Sequence, residues 1–186
     1  MTTVEQGSAT IATALRKLYF TRFGFAILWA IVIGVSASTL NPLSAVLFVI
    51  YPVFDLAAAV IDFRASRRIK PTPALYVNMG LSLLTAIGLA VAVTTGTSAV
   101  LTIWGAWAIT AGIVQLIVAL TRRGLGGQVP MILSGGISVL AGAGFLFQGR
   151  AANPSVTGIA GYAVLGGIFF LISAIRLGRT AKGESR

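Results

Sequence analysis

The chain has 186 residues, of which 56% are hydrophobic and only 10% are charged. Soluble domains carry roughly a quarter charged residues, so this composition excludes an ordinary soluble domain and predicts an integral membrane protein. The sequence contains no Cys and no His, which excludes disulfides, Cys/His zinc sites, haem ligation by His, and catalysis by Cys–His or Ser–His pairs. The 14 Lys and Arg outnumber the 4 Asp and Glu, giving a formal net charge of +10.

Six apolar segments are long enough to cross a bilayer core, which requires about 20 residues in helical form. We therefore expect an all-α, polytopic integral membrane protein with a membrane domain over residues 20–177. The preceding segment, 1–19, has room for a short interfacial helix or a frayed tail, and 178–186 is a basic tail. The predicted spans are 20–38, 43–63, 75–94, 98–120, 129–147 and 156–176.

The basic residues are distributed asymmetrically between the two sides that these spans define. Thirteen of the 14 lie in the N-terminal flank, in the connections after the second and fourth spans, or in the C-terminal tail, and only Arg150 lies on the other side. The positive-inside rule makes the basic side cytoplasmic. This predicts a multi-pass membrane protein with both termini in the cytoplasm, and its basic side contacting anionic lipid headgroups.

The first apolar segment also resembles a signal peptide, because a basic stretch precedes it and Val35–Ala37 offers small residues for cleavage. An internal repeat argues against cleavage. A shift of 56 residues aligns Tyr51 with Trp107, and a further 55 aligns Trp107 with Tyr162. Residues 107–119 and 162–174 are identical at six of 13 positions. The first segment matches the third and fifth, so we expect it to be a genuine span.

A repeat of about 55 residues corresponds to two helices, so each copy is a helical hairpin that returns the chain to its starting side. We therefore expect three tandem, parallel hairpins, over about 20–70, 75–123 and 129–177, around a pseudo-rotation axis along the membrane normal. Small residues recur every four positions on the odd-numbered segments, which is typical of close helix packing within the bundle or of a homo-oligomer. These residues are Ala26, Ala30, Gly34 and Ser38; Ser82, Ala86, Ala90 and Thr94; and Ser134, Ser138 and Gly142.

Asp55 is the candidate functional residue, because it lies near the middle of the second span and a buried charge there must face protein or water. It has two open interpretations. It is either a protonatable site that lines a cavity, or a structural acid bonded to hydroxyls or to the carbonyl released where Pro52 kinks the helix. Asn78 and Gln115 are the next candidates for lining a polar site, or are interhelical hydrogen-bond partners.

Asp62 follows Asp55 by seven residues and lies on the same helix face, about 10 Å nearer the basic side. An antiparallel hairpin that turns near residues 40 and 41 places Arg22 beside Asp62. We therefore expect an Arg22–Asp62 ion pair at the membrane boundary, with Arg64 as a competitor for Asp62. The pair either fixes the depth of the hairpin or belongs to a functional site.

The sequence contains no phosphate-binding loop, dinucleotide fingerprint, HExxH or GxSxG motif. We expect no catalytic residue, metal or cofactor, and hence no enzymatic activity. The basic residues are not interleaved with aromatic residues for base stacking, so we expect no nucleic-acid partner. An enzyme would have to use Asp55 and Asp62 together, and about 10 Å along one helix is too far for them to share a substrate.

In the first hairpin, Arg22-Phe23-Gly24 leads into a small-residue helix, Pro42 stands at the outer turn, and Tyr51 to Asp55 precedes a basic stretch. This order of residues resembles the HdeD-like family of small bacterial inner-membrane proteins. Leu56 departs from the family pattern, which has a glycine after the acid. The family's second-helix motif, an aromatic residue followed by Asp-Gly or Gly, is matched by Tyr51 with Asp55, Trp107 with Gly112, and Tyr162 with Gly166 and Gly167.

The resemblance implies a six-helix repeat protein that contributes to envelope or acid-stress tolerance, since the named family member is associated with acid resistance. Our first expectation is a passive, packed bundle or oligomer with that role. The alternative is a small-solute or proton transporter or channel with Asp55 as its titratable group, which requires Asp55 to face a hydrated cavity.

Overall fold

This computed structural model describes residues 3–36, 39–66, 73–125 and 128–183, with side chains described in 11–36, 39–66, 73–124 and 128–179. Within these ranges the chain forms long helices and no strand. All six described long helices are long and apolar enough to cross a membrane, so the prediction of an all-α, six-span membrane protein is confirmed. The helices are α1 (Thr3–Ser36), α2 (Pro42–Ser66), α3 (Pro73–Thr95), α4 (Thr97–Thr121), α5 (Gln128–Gln148) and α6 (Thr157–Gly183).

The helix bounds depart most from the prediction at the two ends of the chain. α1 begins at Thr3, and α6 continues to Gly183. Ile11 and Leu15 are buried in one apolar cluster with Ala174 and Leu177 of α6. The N-terminal segment is therefore the start of α1 rather than a separate interfacial helix, because its apolar face is covered by α6. Ser38 and the basic residues Arg67, Arg68, Lys70 and Arg186 lie outside the described residues.

The helices pack as a closed ring in chain order, in which each helix contacts the next and α6 contacts α1. The most extensive contacts are between α4 and α5, between α1 and α6, and between α2 and α3. The contacts of α1 with α2 and of α5 with α6 are sparser. The α1–α6 pair is therefore joined to the rest of the ring through its two sparsest interfaces. The threefold sequence repeat stays a prediction.

Glycines set the close approach of α4 and α5. A Cβ added to Gly105 would lie 2.7 Å from the Gly142 carbonyl oxygen, and one added to Gly112 would lie 2.8 Å from that of Gly135. Such distances are shorter than van der Waals contact, so only glycine fits at these crossings. Much of the predicted small-residue stripes is covered within this chain, whereas Gly34, Ala90 and Thr94 are exposed. The buried members are Ala26, Ala30, Ser82, Ala86, Ser134, Ser138 and Gly142.

The core of the bundle is aromatic toward one end and differs in composition toward the other. We call the end with the chain termini the terminal end and the other the opposite end. On the opposite-end side, α2 continues as a helix through the buried Pro52, and an aromatic cluster fills the core. Trp29 and Trp104 stack with centroids 5.5 Å apart, and Tyr51 lies 5.4 Å from Trp104. The aromatic cluster comprises Trp29, Phe48, Tyr51, Trp104 and Trp107.

Candidate functional site

A partly enclosed cavity of about 80 Å³ lies in the core, on the terminal-end side of the aromatic cluster. Each of the described helices α1–α6 contributes at least one residue to its wall, so the cavity lies on the axis of the ring. A cavity of this size accommodates several water molecules or one small solute. Its polar wall consists of Tyr19, Arg22, Asp55, Asp62, Asn78, Gln115 and Gln128.

Asp55 is buried in the middle of α2 and forms part of this wall. Its Oδ1 atom accepts a hydrogen bond from Nη2 of Arg22 in α1, and the two side chains form an ion pair. Its Oδ2 atom accepts hydrogen bonds from Nδ2 of Asn78 at 2.9 Å and from Oγ of Ser82 at 2.7 Å, both in α3. The buried carboxylate is therefore both paired and hydrogen-bonded, as a charge removed from water requires.

The predicted Arg22–Asp62 pair is wrong, because Arg22 binds Asp55. Depth in a hairpin is set by the helix ends, here Ser36 and Pro42. Arg22 and Asp55 both lie about 20 Å from these ends at about 1.5 Å per residue, whereas Asp62 lies about 30 Å away. The prediction assumed a turn at residues 40 and 41, which puts Arg22 nearer the terminal end than the actual helix ends do. Arg64, the predicted competitor, is exposed.

Asp62 instead forms an ion pair with Arg122, the residue that follows α4. Nη1 of Arg122 donates to Asp62 Oδ2 at 2.9 Å, and Nη2 donates to Ser66 Oγ at 2.9 Å. The Ser66 hydroxyl donates in turn to Asp62 Oδ1 at 2.9 Å. Asp62, Ser66 and Arg122 thus form a closed, buried network. Nothing in the sequence indicates this network, because an arginine at the end of a span is typical of a headgroup anchor.

The structure brings the three predicted polar residues to one cavity but gives them different contacts. Asn78 binds Asp55 directly. Gln115 lines the cavity, and its Nε2 atom donates to the Met131 carbonyl at 2.9 Å, which links α4 to α5. Sequence reasoning missed Ser82 as a partner of Asp55. The available signal was its spacing, since Asn78 and Ser82 are four residues apart and therefore share a helix face.

Arg22 connects three helices. Besides binding Asp55 of α2, its guanidinium lies over the ring of Phe170 in α6, 4.5 Å from the ring centroid. An arginine in this position gains a cation–π attraction in addition to its ion pair. The Arg22 side chain is 19% exposed, whereas the Arg122 side chain is 5% exposed. Arg22 is therefore the more accessible of the two paired arginines, and it lines the cavity wall.

Metal binding finds no support in the part of the chain that the structure describes, where no group of three or more Asp, Glu, His or Cys side chains could hold an ion. The charges of the cavity wall are instead balanced by arginine.

No protein-family model, curated protein or solved structure matches this chain. The resemblance to the HdeD-like family therefore rests on its short motifs alone, and a functional proposal has to rest on the fold and the cavity.

Proposed function

We propose that the protein is a non-enzymatic transporter of the bacterial inner membrane that moves a small polar solute or protons through the axial cavity. One observation carries the proposal: Asp55, a buried carboxylate in the middle of a span, lines a cavity to which helices α1–α6 all contribute. Ionisable groups inside the bilayer are costly and are typical of solute and proton pathways. The position of Asp55 in the wall of this cavity supports a transport role for Asp55 over a purely structural one.

The arrangement of the helices supports a moving part. The Arg22–Asp55 pair crosses the sparse α1–α2 interface, and α5–α6 is the other sparse interface of the α1–α6 pair. Protonation of Asp55 removes one charge of the ion pair and so weakens the polar link between α1 and α2. The α1–α6 pair then moves relative to the other helices, and the aromatic cluster opens toward the opposite end.

The charge distribution supports an orientation with the terminal end in the cytoplasm and anionic headgroups as its lipid partners. In this arrangement the exposed basic side chains of the terminal end lie at headgroup level, while Arg22 and Arg122 form ion pairs inside the bundle. The outward-facing Ala90 and Thr94 of α3 offer a surface for a homo-oligomer. We expect no nucleic-acid partner. Among the described residues, the exposed basic side chains of the terminal end are Arg16, Lys17, Arg64, Arg123, Arg176 and Arg179.

The test uses the purified chain in liposomes that contain a pH-sensitive dye. We expect proton flux, or swelling driven by small polar solutes, above that of protein-free liposomes. Asp55→Asn should reduce the flux at least about tenfold, because Asn cannot take up a proton. Arg123→Gln is the control, since Arg123 is an exposed arginine outside the cavity. Equal flux for the native chain, Asp55→Asn and Arg123→Gln would contradict the proposal.

The aromatic cluster favours a second candidate function. It fills the core beyond the cavity with stacked and edge-on rings, which suits a rigid bundle that conducts nothing. On this proposal the protein is a passive, HdeD-like inner-membrane protein that contributes to envelope or acid-stress tolerance, alone or as an oligomer. Passive liposomes, together with an acid-survival defect that is restored equally by the native chain and by Asp55→Asn, would favour this candidate over the transporter.

A further inference from the structure

The cavity wall contains one arginine, Arg22, and two carboxylates, Asp55 and Asp62, and Asp62 is already paired with Arg122. Arg22 and Asp55 line the cavity together and form an ion pair. A charged solute that enters must therefore compete with one member of the pair for the other. Whether the cavity favours a cation or an anion depends on which displaced side chain can remain buried without an ion-pair partner.

The two displacements are unequal in cost. A cationic solute at Asp55 would displace Arg22, whose guanidinium keeps its proton under all ordinary conditions and would stay charged and unpaired. An anionic solute at Arg22 would displace Asp55, whose carboxylate can take up a proton and become neutral. Only the anion leaves the cavity without a buried, unpaired charge.

We propose that the transported solute is a small monovalent oxyanion that binds Arg22 while Asp55 takes up one proton, an assignment that rests on the proposed transport function. One anion and one proton enter, the Arg22–Asp55 ion pair is replaced by an Arg22–anion pair, and Asp55 becomes a neutral carboxylic acid. The net charge of the cavity is unchanged. No covalent bond other than the O–H bond of Asp55 is formed.

The neighbours of Asp55 suit both of its protonation states. Ser82 now donates to Oδ2 at 2.7 Å, and its hydroxyl oxygen can accept a hydrogen bond from a protonated carboxyl. Asn78, which donates to the same oxygen at 2.9 Å, can continue to donate to a remaining lone pair of that oxygen when it carries the proton. The protonated side chain is thus left with partners in its present position.

Arg22 is also held when Asp55 no longer binds it. Phe170 lies 4.5 Å from the guanidinium carbon, measured to the ring centroid, so the cation keeps one attractive contact and its orientation toward the cavity. Arg122 cannot take this role as readily, because Asp62 and Ser66 already occupy its Nη1 and Nη2 atoms. The exposed basic residues at the terminal end raise the local concentration of anions near the cavity.

The other charged and titratable groups around Asp55 keep their charge state in the proposed exchange. Arginine and tyrosine keep their protons near neutral pH, and Asp62 stays paired with Arg122, which lies outside the cavity wall. α3 contributes Asn78 and Ser82, and its titratable residue in the described range, Tyr76, is exposed. The neighbouring groups are Arg22 and Tyr19 of α1, Tyr51 of α2, Tyr162 of α6, and the Asp62–Arg122 pair.

The experiment titrates the purified full chain in detergent with sodium nitrate, and separately with sodium acetate, in weakly buffered solution containing a pH indicator. We expect the native chain to take up about one proton per bound anion, and the apparent Kd to rise by up to about tenfold for each unit increase in pH. Asp55→Asn, an uncharged analogue of the protonated acid, should bind nitrate more tightly at neutral pH, without proton uptake or pH dependence.

The double variant Arg22→Gln/Asp55→Asn is the control for folding, because it removes both charges and leaves neither unpaired. It should retain its unfolding temperature and bind nitrate at least about tenfold more weakly than Asp55→Asn, since the cation is gone. Anion binding to the native chain without proton uptake would overturn the proposal, and this measurement depends on no variant. Tighter binding by the native chain than by Asp55→Asn would also overturn it.

The detergent titration and the liposome flux assay together separate this assignment from the transport function. Proton-linked nitrate binding in detergent, combined with passive liposomes, supports the anion site and contradicts transport. Asp55-dependent flux of a neutral solute or a cation, combined with no proton uptake on addition of nitrate or acetate, supports transport and overturns the assignment of an anion.

Discussion

Arg122 and Asp62, which are 60 residues apart in the sequence, form a buried ion pair 2.9 Å long. Asp62 belongs to α2 and Arg122 directly follows α4, so the pair joins two helices that are not neighbours in the ring. Ser66 bonds to both side chains. The terminal end of the bundle is thus tied across its axis, whereas most other contacts follow the circumference.

Replacing Arg122 tests the contribution of this cross-axis network to stability. Arg122→Gln leaves Asp62 buried without its cation, so we expect the free energy of unfolding in detergent to fall by about 3–5 kcal/mol. Arg123→Gln, at the neighbouring exposed arginine, should change it by less than about 0.5 kcal/mol. Arg122→Gln/Asp62→Asn should recover most of the loss. Equal effects of the two single arginine variants would show that the buried pair is not a special contact.

The glycine crossing of α4 and α5 predicts different effects for two glycines of the same helix. A Cβ on Gly142 would lie 2.6 Å from the Gly105 carbonyl oxygen, whereas one on Gly144 would meet nothing within 4 Å. We expect Gly142→Ala to lower the free energy of unfolding by about 1–3 kcal/mol, because α4 and α5 must separate. Gly144→Ala should be neutral or slightly stabilising. Thermal unfolding in detergent measures both, and a neutral Gly142→Ala would contradict the close crossing.

Two tryptophans of the aromatic cluster differ in their hydrogen bonding. Trp29 donates from Nε1 to the Leu47 carbonyl at 2.7 Å, whereas the Trp107 indole N–H has no partner among the described residues. Trp29→Phe and Trp107→Phe remove the same volume, but only the first loses a hydrogen bond. We therefore expect Trp29→Phe to cost about 1 kcal/mol more in unfolding free energy. A larger loss for Trp107→Phe would mean that its N–H is paired in the membrane.

Ser82 provides a test of the hydrogen bonds to Asp55 that leaves all charges in place. Ser82→Ala removes a donor to the carboxylate, so we expect a loss of about 1.5–3 kcal/mol in unfolding free energy, as for other hydrogen bonds to charged groups. Ser98→Ala, at an exposed serine near the start of α4, serves as the control and should be nearly neutral. Equal losses of unfolding free energy for Ser82→Ala and Ser98→Ala would contradict a stabilising Ser82–Asp55 hydrogen bond.

The spans could be predicted because the signal is local. A bilayer fixes the length of an apolar helix, so runs of hydrophobic residues identified all of the long helices found in the described part of the chain. Asp55 and Asn78 could be predicted for the same reason, since a polar residue within an apolar helix stands out without knowledge of its neighbours. The start of α1 could not be predicted, because Ile11 and Leu15 are buried by residues of α6 and other helices that are distant in the sequence.

The pairing of charges could not be predicted, because it depends on depth and on the order of the helices around the ring. Arg22 reaches Asp55 instead of Asp62 because of where α1 ends and α2 begins, a difference of a few residues in the connection. Arg122 reaches Asp62 only because the ring brings the end of α4 across the axis to the end of α2. In the sequence, Arg122 is indistinguishable from its exposed neighbour Arg123.

The extensive contact between α1 and α6 has a consequence for assembly during synthesis. α1 is synthesised before α6, the helix with which it makes its most extensive contact, so it lacks that partner while α2 to α5 are made. During that time its available neighbour in the ring is α2, with which its interface is sparse. The Arg22–Asp55 ion pair crosses this interface. It is therefore placed to hold the first hairpin together until α6 arrives to close the ring.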